Sequence, residues 1–206
     1  MRISYLKMLS AIFILSFLSG CIALLTPKVE SNFVELKAGA YSLDKSHARL
    51  LFKVRHLGLS TYVGRFNSFD ASLEFDPQNM QESELRALID MTSLDINDSS
   101  LSDTLAGANW LNSRSYPQAQ FTSSQVKPLS NTEFEFSGKL SWRGKTKDIT
   151  VTARFEGGAF DVLTRKYKLG FSAETEFLRS DFGMDAFIPL VGDKIQLETY
   201  VEFIRN

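Results

Sequence analysis

The chain has 206 residues; 23 lysines and arginines face 24 acidic residues, and with two histidines the formal net charge is −1. That balance excludes the basic face or tail on which nucleic-acid binding rests. One cysteine, Cys21, excludes an internal disulfide and a multi-thiolate metal site.

Arg2 and Lys7 precede an uncharged run from Met8 to Cys21 that ends in small residues, the pattern of an export signal. The run closes on Leu18-Ser19-Gly20-Cys21, which resembles the lipobox of bacterial lipoproteins. The resemblance implies cleavage before Cys21, a diacylglycerol thioether on Cys21 and acylation of the new amino terminus. The competing reading is a transmembrane anchor, because Met8 to Thr26 approaches the ~20 residues of a spanning helix. Ser10, Ser16, Ser19 and Gly20 dilute that run and favour the signal. Losing residues 1–20 removes Arg2 and Lys7 and no acids, so the net charge falls from −1 to −3. Three acyl chains, at ~0.8 kcal/mol per buried methylene, anchor a protein stably. The expected location is the periplasmic side of the cell envelope, lipid-anchored. Ile22 after the cysteine, in place of aspartate, resembles lipoproteins sent on to the outer membrane of a two-membrane organism.

Residues 21–39 read as a lipidated terminus and linker, since Pro27 stops a helix and the following charges keep no period. Residues 40–206 then form one domain, long enough to bury its own core. Their dominant period is two. Leu50, Phe52, Val54 and His56 share one strand face; Phe134, Phe136, Gly138, Leu140 and Trp142 share another. Ile149 to Phe155, Tyr167 to Phe177 and Ile195 to Phe203 alternate likewise, as antiparallel strands with one side in water do. Between Tyr62 and Asp76 the phase slips once, which predicts a bulge or bend. Leu85 to Ile96 and Gln118 to Lys127 complete the strands. Asn97 or Asp98 can cap a helical spacing, Leu101, Leu105, Ala108 and Leu111, that Tyr116-Pro117 ends. The fold class is all-β: an eight-stranded antiparallel barrel with one short helix between strands.

Asp44-Lys45-Ser46-His47, Phe52 to Ser60 and Val63-Gly64-Arg65-Phe66 resemble the opening signature of the YceI-like proteins. Trp110-Leu111-Asn112, Tyr116 to Phe121, Gly138 to Lys147, Arg179 to Met184 and Val191 to Ile195 extend the likeness in order over residues 40–204. It implies a lipocalin-like barrel, periplasmic residence, an elongated apolar pocket for an isoprenoid or similar chain, and no settled catalysis. Two departures stand out: Ala48 replaces the usual serine after the first histidine, and the lipobox replaces an ordinary cleaved signal.

His47 and His56 lie nine apart on one strand, about 30 Å, with opposite facing, so they cannot share a metal. His47 beside Asp44 reads as a hydrogen-bonded strand entry, and His56 as an interior histidine or a head-group contact. No nucleophile motif is present. Expected ligand contacts are Phe52, Val54, His56, Phe66, Phe69, Leu73, Trp110, Phe134, Phe136, Trp142, Phe171, Phe177, Phe182 and Phe187. These rings either pack the interior solid or line a tube. Phe182, Met184, Phe187 and Ile188 are expected at the mouth with Trp110 opposite. The expected function is binding, sequestration or transport of an isoprenoid quinone, polyprenyl lipid or other amphiphile, with no catalytic residue, metal or obligatory cofactor. The alternatives are an enzyme or redox accessory using Asp44, His47 and His56, and a stress protein with a packed barrel.

Overall fold

The computed structural model describes residues 26–206, so the expectations about the signal run and Cys21 fall outside the described residues. Period-two alternation becomes ten strand segments: β1 (Gly39–His56), β2 (Ser60–Phe66), β3 (Phe69–Phe75), β4 (Glu84–Asp90), β5 (Leu94–Asp95), β6 (Gln118–Pro128), β7 (Glu133–Trp142), β8 (Lys145–Asp161), β9 (Lys166–Leu178) and β10 (Val191–Arg205). In β7 the rule is plain, with Phe134, Phe136, Gly138, Leu140 and Trp142 buried and every residue between them more open.

The sheet is antiparallel and closed. The order runs β1, β3, β4, β6, β7, β8, β9, β10, and β10 returns to β1 from Val191 opposite His56 to Arg205 opposite Tyr41. β1 takes β3 along its first half and β2 along its second, so β2 and β3 are one strand of an eight-stranded barrel. The expected bend falls at Asn67 and Ser68. Its open backbone groups are met by Ser93, whose carbonyl accepts from Asn67 N (3.0 Å) and whose Oγ accepts from Ser68 N (3.0 Å). Ser93 belongs to a 3-10 turn, Met91–Ser93, that interrupts what the sequence pattern gave as one strand from Leu85 to Ile96. Both strands therefore break together, which keeps their ladder in register.

Two hairpins turn through consecutive residues of positive φ: Leu57 and Gly58 in the three-residue loop after β1, Arg143 and Gly144 in the two-residue loop after β7. Such turns match the twist of the flanking strands. The second matters for the site, since it aims the Arg143 side chain at the mouth. The helix, α1 (Ser99–Leu105), is capped by Asp98, whose side chain accepts from Leu101 N (3.0 Å). It stops short of the expected Leu111. Gly107 N turns back to Thr104 O in 3-10 fashion and Leu111 N closes on Leu105 O, so residues 106–112 coil under the helix.

One end is sealed. Phe33, from a 3-10 turn (Phe33–Glu35), packs on Phe75, Phe134 and Phe155 with ring centroids 5.9, 5.1 and 4.9 Å away. Phe155, Phe171 and Phe203 continue the stack. Glu30 also exchanges backbone bonds with Gly158. The latter part of the stretch read as a linker is thus docked on the barrel.

Candidate functional site

Above the aromatic plug the inward side chains become small. Ala71 of β3 stands opposite Ala87 of β4, and Ala153 of β8 stands opposite Ala173 of β9. The two pairs sit half a turn apart around the eight-strand circle, so the bore is hollow between them. They line a narrow apolar cavity of about 130 Å³ with Leu50, Leu73, Val151 and Val201. Nearer the open end is a wider apolar cavity of about 550 Å³, lined by Phe52, Val54, Phe66, Trp110, Trp142 and Phe177 among others. Ile89, Leu140 and Leu197 border both, so the two cavities meet at a waist. A volume of that size lies within the range of small-molecule sites.

The end opposite the plug is roofed by α1, residues 106–116 and the loop that precedes β10. Two arginines tie it down. Arg179 is 1 % exposed and donates through Nε to Gly192 O (2.9 Å), through Nη1 to Met184 O (2.6 Å) and through Nη2 to Ala186 O and Val191 O (2.9 Å each). Its guanidinium also lies over the Trp110 ring, 5.4 Å from the centroid. Burial lowers its pKa, with Asp193 and Asp185 opposing that. Arg143 donates to Phe182 O (3.1 Å), Gly183 O (3.2 Å), Ala108 O (3.2 Å) and Trp110 O. Sequence patterning missed both residues, because an arginine that serves backbone carbonyls has no sequence period.

Most of the rings expected at the ligand do face the bore. Phe69, Leu73, Phe136 and Phe171 border the narrow cavity; Phe52, Val54, His56, Phe66, Trp110, Trp142 and Phe177 border the wide one. Three do not. Phe134 belongs to the plug under Phe33. Phe182, 1 % exposed, is wedged behind Trp142 and Phe177, at 5.6 and 5.5 Å between centroids. Phe187, 65 % exposed, stacks on Trp110 at 5.9 Å. Of the expected mouth residues, Met184 and Trp110 border the cavity, while Phe182, Phe187 and Ile188 do not. Ser60, Tyr62, Leu101 and Leu105 join the lining without having been singled out.

Comparison with known proteins places this geometry. The family model of the YceI-like domain matches residues 41–203. The chain belongs to the YceI-like family. Protein YceI of Escherichia coli O157:H7 is 33 % identical over 171 residues, covering 82 % of this chain and 88 % of that one. In shape the YceI-like domain matches Burkholderia cenocepacia BcnA with a TM-score of 0.70 at 24 % identity, over 78 % of this chain and 98 % of that one. It also matches a polyisoprenoid binding domain from Saccharophagus degradans implicated in plant cell wall breakdown, with a TM-score of 0.63 at 13 % identity, over 81 % and 98 %.

The first block of the YceI-like opening signature, Asp44 to His47, lies outside the bore, unlike His56 and Ser60. A register shift in β1 between Leu43 and Ala48 lets Asp44 to His47 fold over on themselves. Asp44 accepts from Ser46 N (3.1 Å), and its other oxygen is 3.0 Å from His47 Nδ1. Lys168 Nζ donates to Asp44 and to Glu202 (2.9 Å each). Partial burial pushes the Asp44 carboxyl up, but hydrogen bonds from Ser46, Lys168 and His47 outweigh it and hold the pKa well below the usual range. Desolvation lowers Lys168 and its bonds to Asp44 and Glu202 more than reverse this. Asp44, His47 and Glu202 present ligand atoms within 4.8 Å of one another, and the cation among them is the Lys168 ammonium. His56 sits at the wide cavity, remote from this group.

Proposed function

We propose that this chain binds an isoprenoid-type or similar amphiphilic lipid by its hydrocarbon part and sequesters or carries it in the bacterial envelope. The observation that carries the reading is the apolar bore that passes from the wide cavity through the waist into the narrow one. Water filling such a tube finds few hydrogen-bond partners. A hydrocarbon replacing it gains ~0.8 kcal/mol per methylene, about 4 kcal/mol per five-carbon unit before ordering costs. The Saccharophagus neighbour, named for polyisoprenoid binding, supports the same ligand class, though at 13 % identity its likeness is one of fold.

Binding without catalysis is favoured by the lining itself. Its polar members include His56, Ser60, Tyr62 and Arg179, and among the described residues no hydrogen bond joins any two of these side chains. Acylation of Cys21 would tether the domain by its plugged end, because Glu30 is fixed at Gly158 there. The mouth would then face away from the anchoring membrane.

The test is mass spectrometry of organic extracts from the purified full chain, followed by uptake of geranylgeraniol, read through the fluorescence of Trp110 and Trp142, which both border the wide cavity. Co-purifying isoprenoid or saturable uptake supports the reading. An empty extract with no uptake rejects it, and a chemically altered lipid moves the case to an enzyme.

A further inference from the structure

The ladder between β8 and β9 stops early. It runs from Asp161 opposite Lys166 to Thr152 opposite Glu174, although both strands continue. Beyond that point, among the described residues, Lys145 to Val151 pairs only with β7, and Thr175 to Leu178 only with β10. A single bond, Thr175 Oγ1 to Thr150 O (2.7 Å), marks where the strands part. Ile149, Thr150, Val151, Thr175 and Phe177 are all strand-favouring types, and no proline or glycine lies among them. Local sequence therefore does not forbid the missing pairs. A closed barrel otherwise leaves no such edge open.

Outside the gap lies a cleft of about 560 Å³. It shares Ile149 with the narrow cavity and Phe177 with the wide one, so it reaches the bore near the waist. Its closure rests on one wedged ring, whose carbonyl Arg143 also holds, and one ion pair. Phe182 is wedged in from the 3-10 turn Arg179–Phe182, and Lys147 meets Asp181 at 3.5 Å with both side chains nearly half exposed. The roof is different, since Arg179 and Arg143 fasten it to carbonyls of eight residues: Met184, Ala186, Val191, Gly192, Phe182, Gly183, Ala108 and Trp110. Parting the flank breaks fewer bonds than lifting the roof.

The charges around the cleft are already matched. Lys147 pairs with Asp181, Lys139 with Asp148 (2.9 Å) and Lys194 with Glu176 (2.7 Å). An anionic head would have to break one of these pairs. A hydroxyl head would not, and Thr150 with Ser124 and Ser137 supplies hydrogen-bonding neighbours.

We propose that the hydrocarbon passes sideways through a window between β8 and β9, and that the cleft outside holds an uncharged, hydroxyl-type head in preference to a phosphate. The proposal rests on the lipid-binding reading above. The outward positions that would pair next, Thr150 and Glu176, allow a lock. The full chain carrying Cys21→Ser with Thr150→Cys and Glu176→Cys is followed by stopped-flow tryptophan fluorescence with geranylgeraniol and geranylgeranyl phosphate. Oxidation slows uptake and release by about tenfold or more, and reduction restores them in the same molecule, which controls for folding. Lys147→Met, which removes the latch, speeds both. The alcohol binds the wild-type chain about tenfold more tightly than the phosphate. Equal rates in the oxidised and reduced forms overturn the window, and a phosphate bound as tightly as the alcohol overturns the head-group assignment. A wild-type chain that takes up neither probe overturns the lipid-binding reading itself.

Discussion

Ala153 of β8 and Ala173 of β9 are direct cross-strand partners, and both side chains face the bore. With Ala71 and Ala87 opposite, they decide that a barrel rich in phenylalanine is hollow in its middle and solid only at its plug. Side chains of intermediate size at these four positions would close the narrow cavity, since interiors pack to nearly uniform density.

Ala153→Leu is therefore expected to shorten the usable bore. Three added carbons enter a space of about 130 Å³. Binding of geranylgeraniol falls by about tenfold or more while geraniol, short enough for the wide cavity, is unaffected; losing one five-carbon unit of burial, about 4 kcal/mol at most, bounds the effect. Competition titrations with alcohols of increasing length check it. Equal loss at every length would mean that the chain does not descend past the waist.

Arg179→Met is expected to loosen the loop before β10 more than it disturbs the barrel. The change leaves the carbonyls of Met184, Ala186, Val191 and Gly192 without their donor. Loss of several charge-assisted bonds in a buried setting costs on the order of 3 kcal/mol, which lowers Tm by roughly 6–12 °C in a domain of this size. Thermal unfolding measures it. Arg179→Lys, with three donors on one point, should recover little.

Phe187 offers a contrast with the window. It is mostly exposed and touches the roof through its stack on Trp110. Phe187→Ala should fall within the ±0.5 kcal/mol usual for surface changes, about twofold in an exchange rate. Stopped-flow release of a bound alcohol reads it directly. Release tenfold faster would place the gate at the mouth.

The fold was legible because strand period depends on side-chain parity alone: the inward faces of β7 and β10 and the phase slip before Phe69 follow from the residue order. The site was legible only in part. Rings such as Phe52 and Trp142 advertise an apolar interior, but parity does not say at which height along the axis each one sits. That height separates Phe134, in the plug, from Phe136, on the cavity, two residues later. The alanine pairs carried the missing signal, small residues at inward parities on β3, β4, β8 and β9. Recognising it requires knowing which strands pair and lie opposite. Arg179 and Arg143 were hidden for another reason, since their partners are backbone carbonyls of loops. The opening of β8 from β9 likewise belongs to strand divergence and leaves no mark in composition.

The Asp44–Lys168 contact predicts how the barrel responds to pH. Asp44 in the folded chain titrates well below its usual value, because Ser46, Lys168 and His47 bond to the charged form more strongly than partial burial opposes it. A depressed carboxyl contributes stability that is fully present above its unfolded pKa, ~3.9, and is lost as pH falls through the folded value. Lys168 runs the other way: its bonds to Asp44 and Glu202 raise it despite desolvation. Its contribution is complete below an unfolded pKa of ~10.4 and disappears as pH rises past that. Melting temperature should therefore be flat across neutral pH with respect to this pair and fall on both sides. Asp44→Asn keeps the shape, lowers the plateau by roughly 2–4 °C as expected for about 1 kcal/mol, and flattens the acid limb. The contact ties the β1 shift to β9 and β10 on the outer surface, far from the bore. Lipid affinity should accordingly be unchanged in Asp44→Asn at pH 7; a lost affinity there would give the outer cluster a part in binding.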